Sequence, residues 1–215
     1  MGRLLAAYGI DHPRQFVITD ESQLAAATAV LRPPYVVKIV SDRVAHKSDV
    51  GGVVLGLESE QEVARARQDV IANVRNAYPD VAVQAVAICE MALAGTELIV
   101  GATRDLTFGP AVLLGVGGIY AEILQDTAVC LAPLGESDAL ALIDRLRGAA
   151  LLRGARGRPG VDLAALVDVV VRVGELAVDL GEDLKALDLN PVIAGPAGAG
   201  VVAADALLEL SDKGR

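Results

Sequence analysis

The chain has 215 residues, of which 53% are hydrophobic and only 3% aromatic, and its formal net charge is −9. This composition excludes a largely disordered chain and predicts an aliphatic core. The negative charge argues against nucleic acid or an anionic membrane as the main partner. Because Cys89 and Cys130 stand far apart, we expect neither a disulfide framework nor a zinc site, and a reducing cytosol fits best.

The first 80 residues alternate between short helical and extended patterns. We expect a short helix that ends at Gly9, and a long helix that begins at Ser59, where Glu62 follows as in a capping box. Between them the sequence predicts an extended stretch at 15–19, an Ala-rich helix at 21–31, and strands at 35–40 and 53–57.

The remaining residues predict further strands and two helices, and no run of 18 or more apolar residues occurs that would span a membrane. Strands are expected at 80–91 and 96–102 (joined through a turn at 94–95), 129–132, 184–194 and 201–205, and helices at 136–147 and 162–180, while 110–116 is an apolar segment that leads into Gly117. Asp162 is the expected N-cap of the last helix and Gly181 its end. Short turns between antiparallel pairs favour α+β lobes over a doubly wound sheet.

Lys38 lies within the apolar strand pattern YVVKIV. Burying an ammonium group in a strand is costly unless it meets an anion, and a phosphate oxygen is a suitable partner. The alternative is a lysine on an edge strand that faces water. The pattern leaves both interpretations open.

A polar glycine stretch, HKSDVGG, follows that strand. Gly51 and Gly52 would let backbone N–H groups turn toward a ligand in a hairpin-like flap, although an ordinary hairpin turn is the more frequent explanation. His46 stands beside this loop, and its neutral imidazole is suited to accept or orient a phosphoryl group. A structural role is the more frequent one for such a histidine.

A carboxylate and a glycine cluster mark the middle of the chain. Glu97 follows Gly95 at a strand start, where it would accept both ribose hydroxyls of a nucleotide or simply face water. Gly117 and Gly118, in the string GVGG, allow a close backbone approach to a ligand, but without a Rossmann helix they are not a dinucleotide fingerprint. Asp126 is expected to face either a cleft or water.

Three oxygen donors occur near the end of the chain. Asp188 and Asn190 fall on one face of a strand by alternation, and a hairpin would bring Asp205 toward them. Carboxylate and amide oxygens are hard donors, and Mg²⁺ needs only a few of them because it keeps waters and substrate phosphates. We therefore favour a metal site here over a solvated strand.

Five strings carry a family resemblance when taken together in this order: LLAAYGI, VVKIVSDRVAHKSDVGGV, GTELIVGATRDLTFGP, GVGGIYAEILQD and LDLNPV. They span nearly the whole chain. In this combination the chain resembles the ATP-grasp domain of ADP-forming acyl-CoA synthetases, a family similar to the β subunit of succinyl-CoA synthetase.

The resemblance implies two α+β lobes, at about 21–93 and 94–215, with mainly antiparallel sheets that grip ATP between them. It implies that Lys38 contacts the phosphates, that the loop at Gly51 and Gly52 closes over them, and that Glu97 binds the ribose. The segment implied to meet the adenine consists of Glu90, Met91 and Ala92. The residues implied to hold Mg²⁺ are Asn190 and Asp205, with Asp188 nearby.

The implied activity is that of an acid–CoA ligase, which interconverts acid, ATP and CoA with acyl-CoA, ADP and phosphate. Such enzymes use a phosphohistidine carried by a CoA-binding partner subunit or domain, and His46 resembles the histidine that relays the phosphate. One departure is Ala186, where family members often have an acidic residue. Two alternatives stay open: a nucleotide-sensing regulatory module of a protein acetyltransferase, and, less favoured, a carboxylate–amine ligase.

Overall fold

The computed structural model describes residues 1–41, 43–44, 47–118, 125–155, 157 and 159–211. The chain forms two compact units, a smaller one at Pro13–Met91 and a larger one made of Met1–His12 and Ala92–Arg215. The first residues belong to the larger unit because helix α1, Gly2–Ala7, and the turn after it insert Leu5 and Ile10 into its core, where they are 2% and 1% exposed.

The smaller unit is a four-stranded antiparallel sheet with two helices. Its elements are β1 (Gln15–Ile18), α2 (Leu24–Val30), β2 (Tyr35–Val40), β3 (Val53–Leu57), α3 (Glu60–Ala77) and β4 (Ala85–Glu90). The strand order is β1-β4-β2-β3. Helix α3 buries Val63, Ala66, Val70 and Val74, whose spacing of three and four residues forms one apolar stripe, and it packs against β2.

The larger unit is a six-stranded antiparallel sheet. Its strands are β5 (Thr96–Asp105), β6 (Gly109–Val116), β7 (Thr127–Leu131), β8 (Leu184–Ala194), β9 (Val201–Ala203) and β10 (Ala206–Leu210). Its further helices are α4 (Glu136–Asp144), α5 (Ala149–Arg153) and α6 (Leu163–Leu180). The strand order is β10-β8-β5-β6-β7, and β9 also pairs with β8. Helix α6 packs on one face of this sheet, over β5 and β6.

The antiparallel α+β prediction is confirmed, but one connection differs from the expectation. Strands β4 and β5 do not form a hairpin, because they belong to different sheets. Residue Thr96 instead lies opposite Ala194 of β8, and this ladder continues as far as Thr103 and Ala186. A turn pattern fixes where the chain bends, whereas the partner of each strand depends on distant residues. Strand β10 and helix α5 were not predicted.

The predicted start of the long helix at Ser59 agrees with the structure. The Ser59 hydroxyl accepts a hydrogen bond from the Glu62 N–H, as the N-cap interpretation requires. The Glu62 carboxylate accepts from the N–H of Glu58, one residue earlier than a capping box would have it. In the part of the chain that the structure describes, no helix combines the length and apolarity needed to cross a bilayer.

Asp162 joins the start of α6 to the loop between β8 and β9. Its carboxylate accepts backbone N–H bonds from Ala165 at 3.2 Å and from Gly198 and Gly200 at 3.0 Å each. These donors stabilise the ionised form and lower the pKa of the Asp162 carboxyl below its usual value. The N-cap prediction is confirmed, and the same side chain also holds a loop that the sequence did not link to it.

We expect Asp162→Asn to lower the melting temperature at pH 7, because the amide supplies an N–H group where the structure needs an acceptor. The folded-state pKa is depressed, so this stabilisation is present above the unfolded-state pKa of about 3.9 and is lost as pH falls through the folded-state value. Thermal melts should therefore show a difference in melting temperature between wild type and variant at pH 7, and this difference should disappear below about pH 4. Asp69→Asn, at an exposed position on α3, is the control and should show no such difference.

Candidate functional site

Lys38 lies on an interior strand of the smaller unit. Strand β2 has β4 on one side and β3 on the other, where Ala87 and Val53 are the register neighbours of Lys38. The flanking residues Val37 and Ile39 are 0% and 1% exposed, so Lys38 occupies the sheet face opposite the core and is itself half-buried. The edge-strand interpretation of Lys38 is therefore wrong, because β2 is paired along both sides.

The described residues 47–52 of the glycine loop between β2 and β3 are held together by backbone hydrogen bonds. The N–H of Gly51 donates to the Ser48 carbonyl at 3.1 Å, and the N–H of Gly52 donates to the Lys47 carbonyl at 2.7 Å. A Cβ atom at Gly51 would lie 2.7 Å from Nδ2 of Asn73, which donates to the Gly51 carbonyl. In this conformation both N–H groups donate within the loop, and their turn toward a ligand stays a prediction. His46 lies outside the described residues.

Glu90 is the last residue of β4, and its carboxylate binds two arginines of the smaller unit. Its Oε1 atom accepts from the N–H of Arg32 at 3.0 Å and from the guanidinium of Arg14 at 3.2 Å. The next residue, Met91, donates its N–H to the Pro34 carbonyl at 2.9 Å, and its side chain is 41% exposed. Ala92 begins the second segment of the larger unit. Arg14 and Arg32 could not be predicted as partners of Glu90, since neither lies in a local motif with it.

Glu97 is exposed at the start of β5, with the glycine pair of the string GVGG against it. The N–H of Gly117 donates to the Glu97 carbonyl oxygen at 2.8 Å. A Cβ atom at Gly117 would lie 2.9 Å from the Glu97 carbonyl carbon, and one at Gly118 would lie 3.4 Å from its Oε2. Gly118 also has a φ of +74°, a conformation that favours glycine. These glycines therefore permit a close approach of the chain to Glu97.

Asp188, Asn190 and Asp205 come together on β8 and the turn before β10. Asp188 lies opposite Leu207 of β10, and the N–H of Asn190 donates to the Asp205 carbonyl at 3.1 Å. Side chains at directly opposed positions of an antiparallel pair are about 5 Å apart at Cβ. The predicted hairpin is confirmed, since β9 pairs with β8 and the main chain of Asp205 reaches Asn190, although β9 ends at Ala203 and Asp205 lies between two strands.

This oxygen-donor set lies on the sheet face that α6 leaves uncovered. Leu187 and Leu189 are 2% and 0% exposed on the core side, so Asp188 and Asn190 project to the other side. Glu97 shares that side, because its neighbour Leu98 is 0% exposed in the core and β5 pairs with β8. Asp205 lies one register step from the Ala206–Leu189 pair, opposite Asn190, so four oxygen-bearing side chains share one face of the larger unit.

The donor chemistry fits Mg²⁺. Among the described residues, no group of three His, Cys, Asp or Glu side chains is placed to hold a metal ion. The set at β8 instead has two carboxylates, Asp188 and Asp205, and the amide oxygen of Asn190. Because Mg²⁺ binds hard oxygen atoms and keeps waters and substrate phosphates as its other ligands, a set of this size suits it.

Asp126 is a residue whose role sequence reasoning missed. It is 7% exposed, and its two oxygens accept backbone N–H bonds from Arg147 at 2.8 Å and Gly148 at 2.7 Å. Both earlier interpretations of Asp126, facing a cleft or facing water, are wrong. No local pattern could have identified partners more than 20 residues away in the sequence.

We expect Gly117→Ala to destabilise the larger unit by about 1–3 kcal/mol, because the added methyl group would overlap the main chain of Glu97. Denaturant titration measures this loss. The control is Gly135→Ala, where the new Cβ would have its nearest neighbour at an ordinary 3.8 Å. Equal stability of the two variants would show that the chain at Gly117 does not pack tightly on Glu97.

Comparison with known proteins identifies the family. An ATP-grasp domain model matches residues 1–210. The chain is 41% identical over 191 residues to the beta subunit of acetate–CoA ligase (ADP-forming) I of Pyrococcus furiosus, which covers 89% of this chain and 82% of the relative.

Two solved structures of acetyl-coenzyme A synthetase 1 from Ca. Korarchaeum cryptofilum extend this similarity. One, in complex with coenzyme A, Ca-AMPCP and HgCl+, has a TM-score of 0.91 at 38% identity, covering 97% of this chain and 90% of that one. The other contains coenzyme A and Mg-AMPPCP, with its phosphohistidine segment pointing towards the nucleotide binding site; its TM-score is 0.79 at 37% identity, with 97% and 89% covered. The chain therefore belongs to the ATP-grasp family, alongside the beta subunits of ADP-forming acetate–CoA ligases.

Proposed function

We propose that this chain is the nucleotide-binding part of an ADP-forming acyl-CoA synthetase. It binds ATP with Mg²⁺ and passes the terminal phosphate to or from a histidine of a CoA-binding partner. The observation that carries the proposal is the oxygen-donor face of the larger unit, where Asn190 and Asp205 occupy opposed positions beside Asp188. Further support comes from the similarity to a beta subunit of such a ligase.

The metal is assigned to Asp188, Asn190 and Asp205. When bound there, Mg²⁺ would neutralise charge on the phosphate oxygens. The chain's own contribution is to hold these three side chains on a rigid strand and the turn beside it. Glu97, on the same face, is assigned to the ribose hydroxyls, and its exposed carboxylate is available to accept from both.

Lys38 is assigned to the nucleotide phosphates. A half-buried ammonium group on an interior strand is best compensated by an anion, and phosphoryl transfer asks a protein mainly for positioning and charge neutralisation. The loop at Gly51 and Gly52 is assigned to close over the phosphates. For its N–H groups to reach them, they would have to leave the carbonyls of Ser48 and Lys47.

The adenine is assigned to the segment of Glu90, Met91 and Ala92. The Glu90 carboxylate already accepts from Arg32 and Arg14, so this segment would meet the base through its main chain and the exposed Met91 side chain. The hydrogen bonds from Arg14 and Arg32 to Glu90 would hold the main chain of this segment in position for the base.

The transferred group is the terminal phosphoryl. Its bond to the bridging oxygen of ADP breaks, and a bond forms to a neutral imidazole nitrogen of the partner's histidine, whose other nitrogen then releases a proton. His46 is assigned as a relay for this group. A relative solved with its phosphohistidine segment pointing towards the nucleotide site supports a partner of this kind.

We expect Lys38→Ala to raise the dissociation constant for ATP–Mg²⁺ at least tenfold, since a charge-assisted contact to phosphate contributes about 1.5–3 kcal/mol. Isothermal titration measures it. Lys185→Ala is the matched control, because Lys185 forms an exposed 2.7 Å ion pair with Glu209 of the neighbouring strand β10 and has no assigned role at the nucleotide. An unchanged affinity in the Lys38 variant would refute the phosphate assignment.

Radiolabelled ATP distinguishes the synthetase from a regulatory module. With the histidine-bearing, CoA-binding partner present, we expect acid-labile label on the partner, and Asp205→Ala should reduce the rate of labelling by about 100-fold or more, as expected when a catalytic metal loses a ligand. Glu209→Gln, on the neighbouring strand β10, should label at the wild-type rate. Tight ATP binding without any transfer of label would instead assign the chain to nucleotide sensing.

A further inference from the structure

The buried carboxylate of Asp126 is not used by any role assigned above. Asp126 directly precedes β7, and besides its two side-chain bonds to Arg147 and Gly148, its carbonyl oxygen accepts from the N–H of Val116 at 3.0 Å. Among the described residues, no other charged side chain is buried. A buried carboxylate is costly unless its oxygens are satisfied, and here each of them accepts a backbone N–H.

The strand register connects Asp126 to Glu97. The N–H of Val116 bonds to Asp126 on one side, and the N–H of the next residue, Gly117, bonds to the Glu97 carbonyl on the other side. Val116 also lies opposite Leu98 in the β5–β6 ladder. Two consecutive residues at the end of β6 therefore bridge the main chains of Asp126 and Glu97.

The two carboxylates lie on opposite sides of this sheet. Asp126 falls in the same row as Leu98 and Val116, on the core side, whereas Glu97 falls in the row of Gly117, on the exposed side. Gly148, in the link between α4 and α5, packs against both Asp126 and Val116. A Cβ atom at Gly148 would lie 3.1 Å from Oδ2 of Asp126 and from Cγ2 of Val116. From the core side, Asp126 thus fixes the segment against which Glu97 packs.

We propose that Asp126 is a positioning residue that sets the orientation of Glu97 for the ribose of the nucleotide. It acts through the end of β6, with Val116 and Gly117 as the connection. This inference rests on the proposed function, in which Glu97 accepts the ribose hydroxyls. An aspartate is required because both of its oxygens accept N–H groups, whereas an asparagine would direct its own N–H₂ group at one of those donors.

The test compares the dissociation constants of ATP and 2′-deoxy-ATP, with Mg²⁺, in wild type and Asp126→Asn. Wild type should prefer ATP by about tenfold, the value of one charge-assisted hydrogen bond, and the variant by about threefold or less. The ratio is informative because a smaller folded fraction weakens both nucleotides equally and cancels. A purely structural role for Asp126 would leave the ratio unchanged.

Two further variants complete the comparison. Asp162→Asn removes a comparable carboxylate that accepts backbone N–H groups elsewhere in the larger unit, and it should keep the tenfold preference. Glu97→Gln should lower the preference, and combining it with Asp126→Asn should lower it no further, because both changes act on one contact.

The possible outcomes separate this inference from the proposed function. If wild type and Glu97→Gln behave as expected but Asp126→Asn keeps the full preference, the positioning role is refuted and the nucleotide site stands. If wild type binds ATP without any preference over 2′-deoxy-ATP, the ribose assignment fails and the positioning role fails with it. Should Asp126→Asn not fold, Gly148→Ala crowds the same contact with the carboxylate intact, and a preserved preference there counts against the proposal.

Discussion

The antiparallel ladder between β5 and β8 is the constraint on which the larger unit depends. It runs from Thr96 opposite Ala194 to Thr103 opposite Ala186, and β8 also pairs with β9 and β10. Because side chains alternate along a strand, this one ladder buries Leu187 and Leu189 against the helical layer and presents Asp188 on the other face. The core and the proposed metal site are thus two sides of the same pairing.

Backbone N–H groups satisfy the carboxylates that are structural, while other carboxylates stay on the exposed face. Asp126 and Asp162 each accept two or more backbone N–H bonds and tie separate loops to the sheet. Glu97 and Asp205 instead are the residues that we propose for the ribose and for the metal. Under the proposed function, this division would let the acidic chain recruit a cation for a polyphosphate while the carboxylate in its core is satisfied by backbone N–H groups.

Most elements were predictable because their signals are local. The apolar periodicity of α3, the N-cap at Asp162 and the alternation through Asp188 depend on neighbours within a few residues. The partner of each strand was not predictable in this way: the turn expected at 94–95 says nothing of pairing, and β4 and β5 belong to different sheets. The loop at Gly51 shows a related limit: the glycine pair predicts a turn or a flap, but which carbonyl each N–H contacts depends on the folded loop.

The most direct test of the account is a crystal structure of the chain with Mn²⁺ and a non-hydrolysable ATP analogue, with the ion located by its anomalous scattering. The account predicts one strong peak at about 2.1–2.3 Å from oxygen atoms of Asn190 and Asp205, with a phosphate oxygen completing the coordination. An analogue bound with its metal on any other surface of the protein would contradict it.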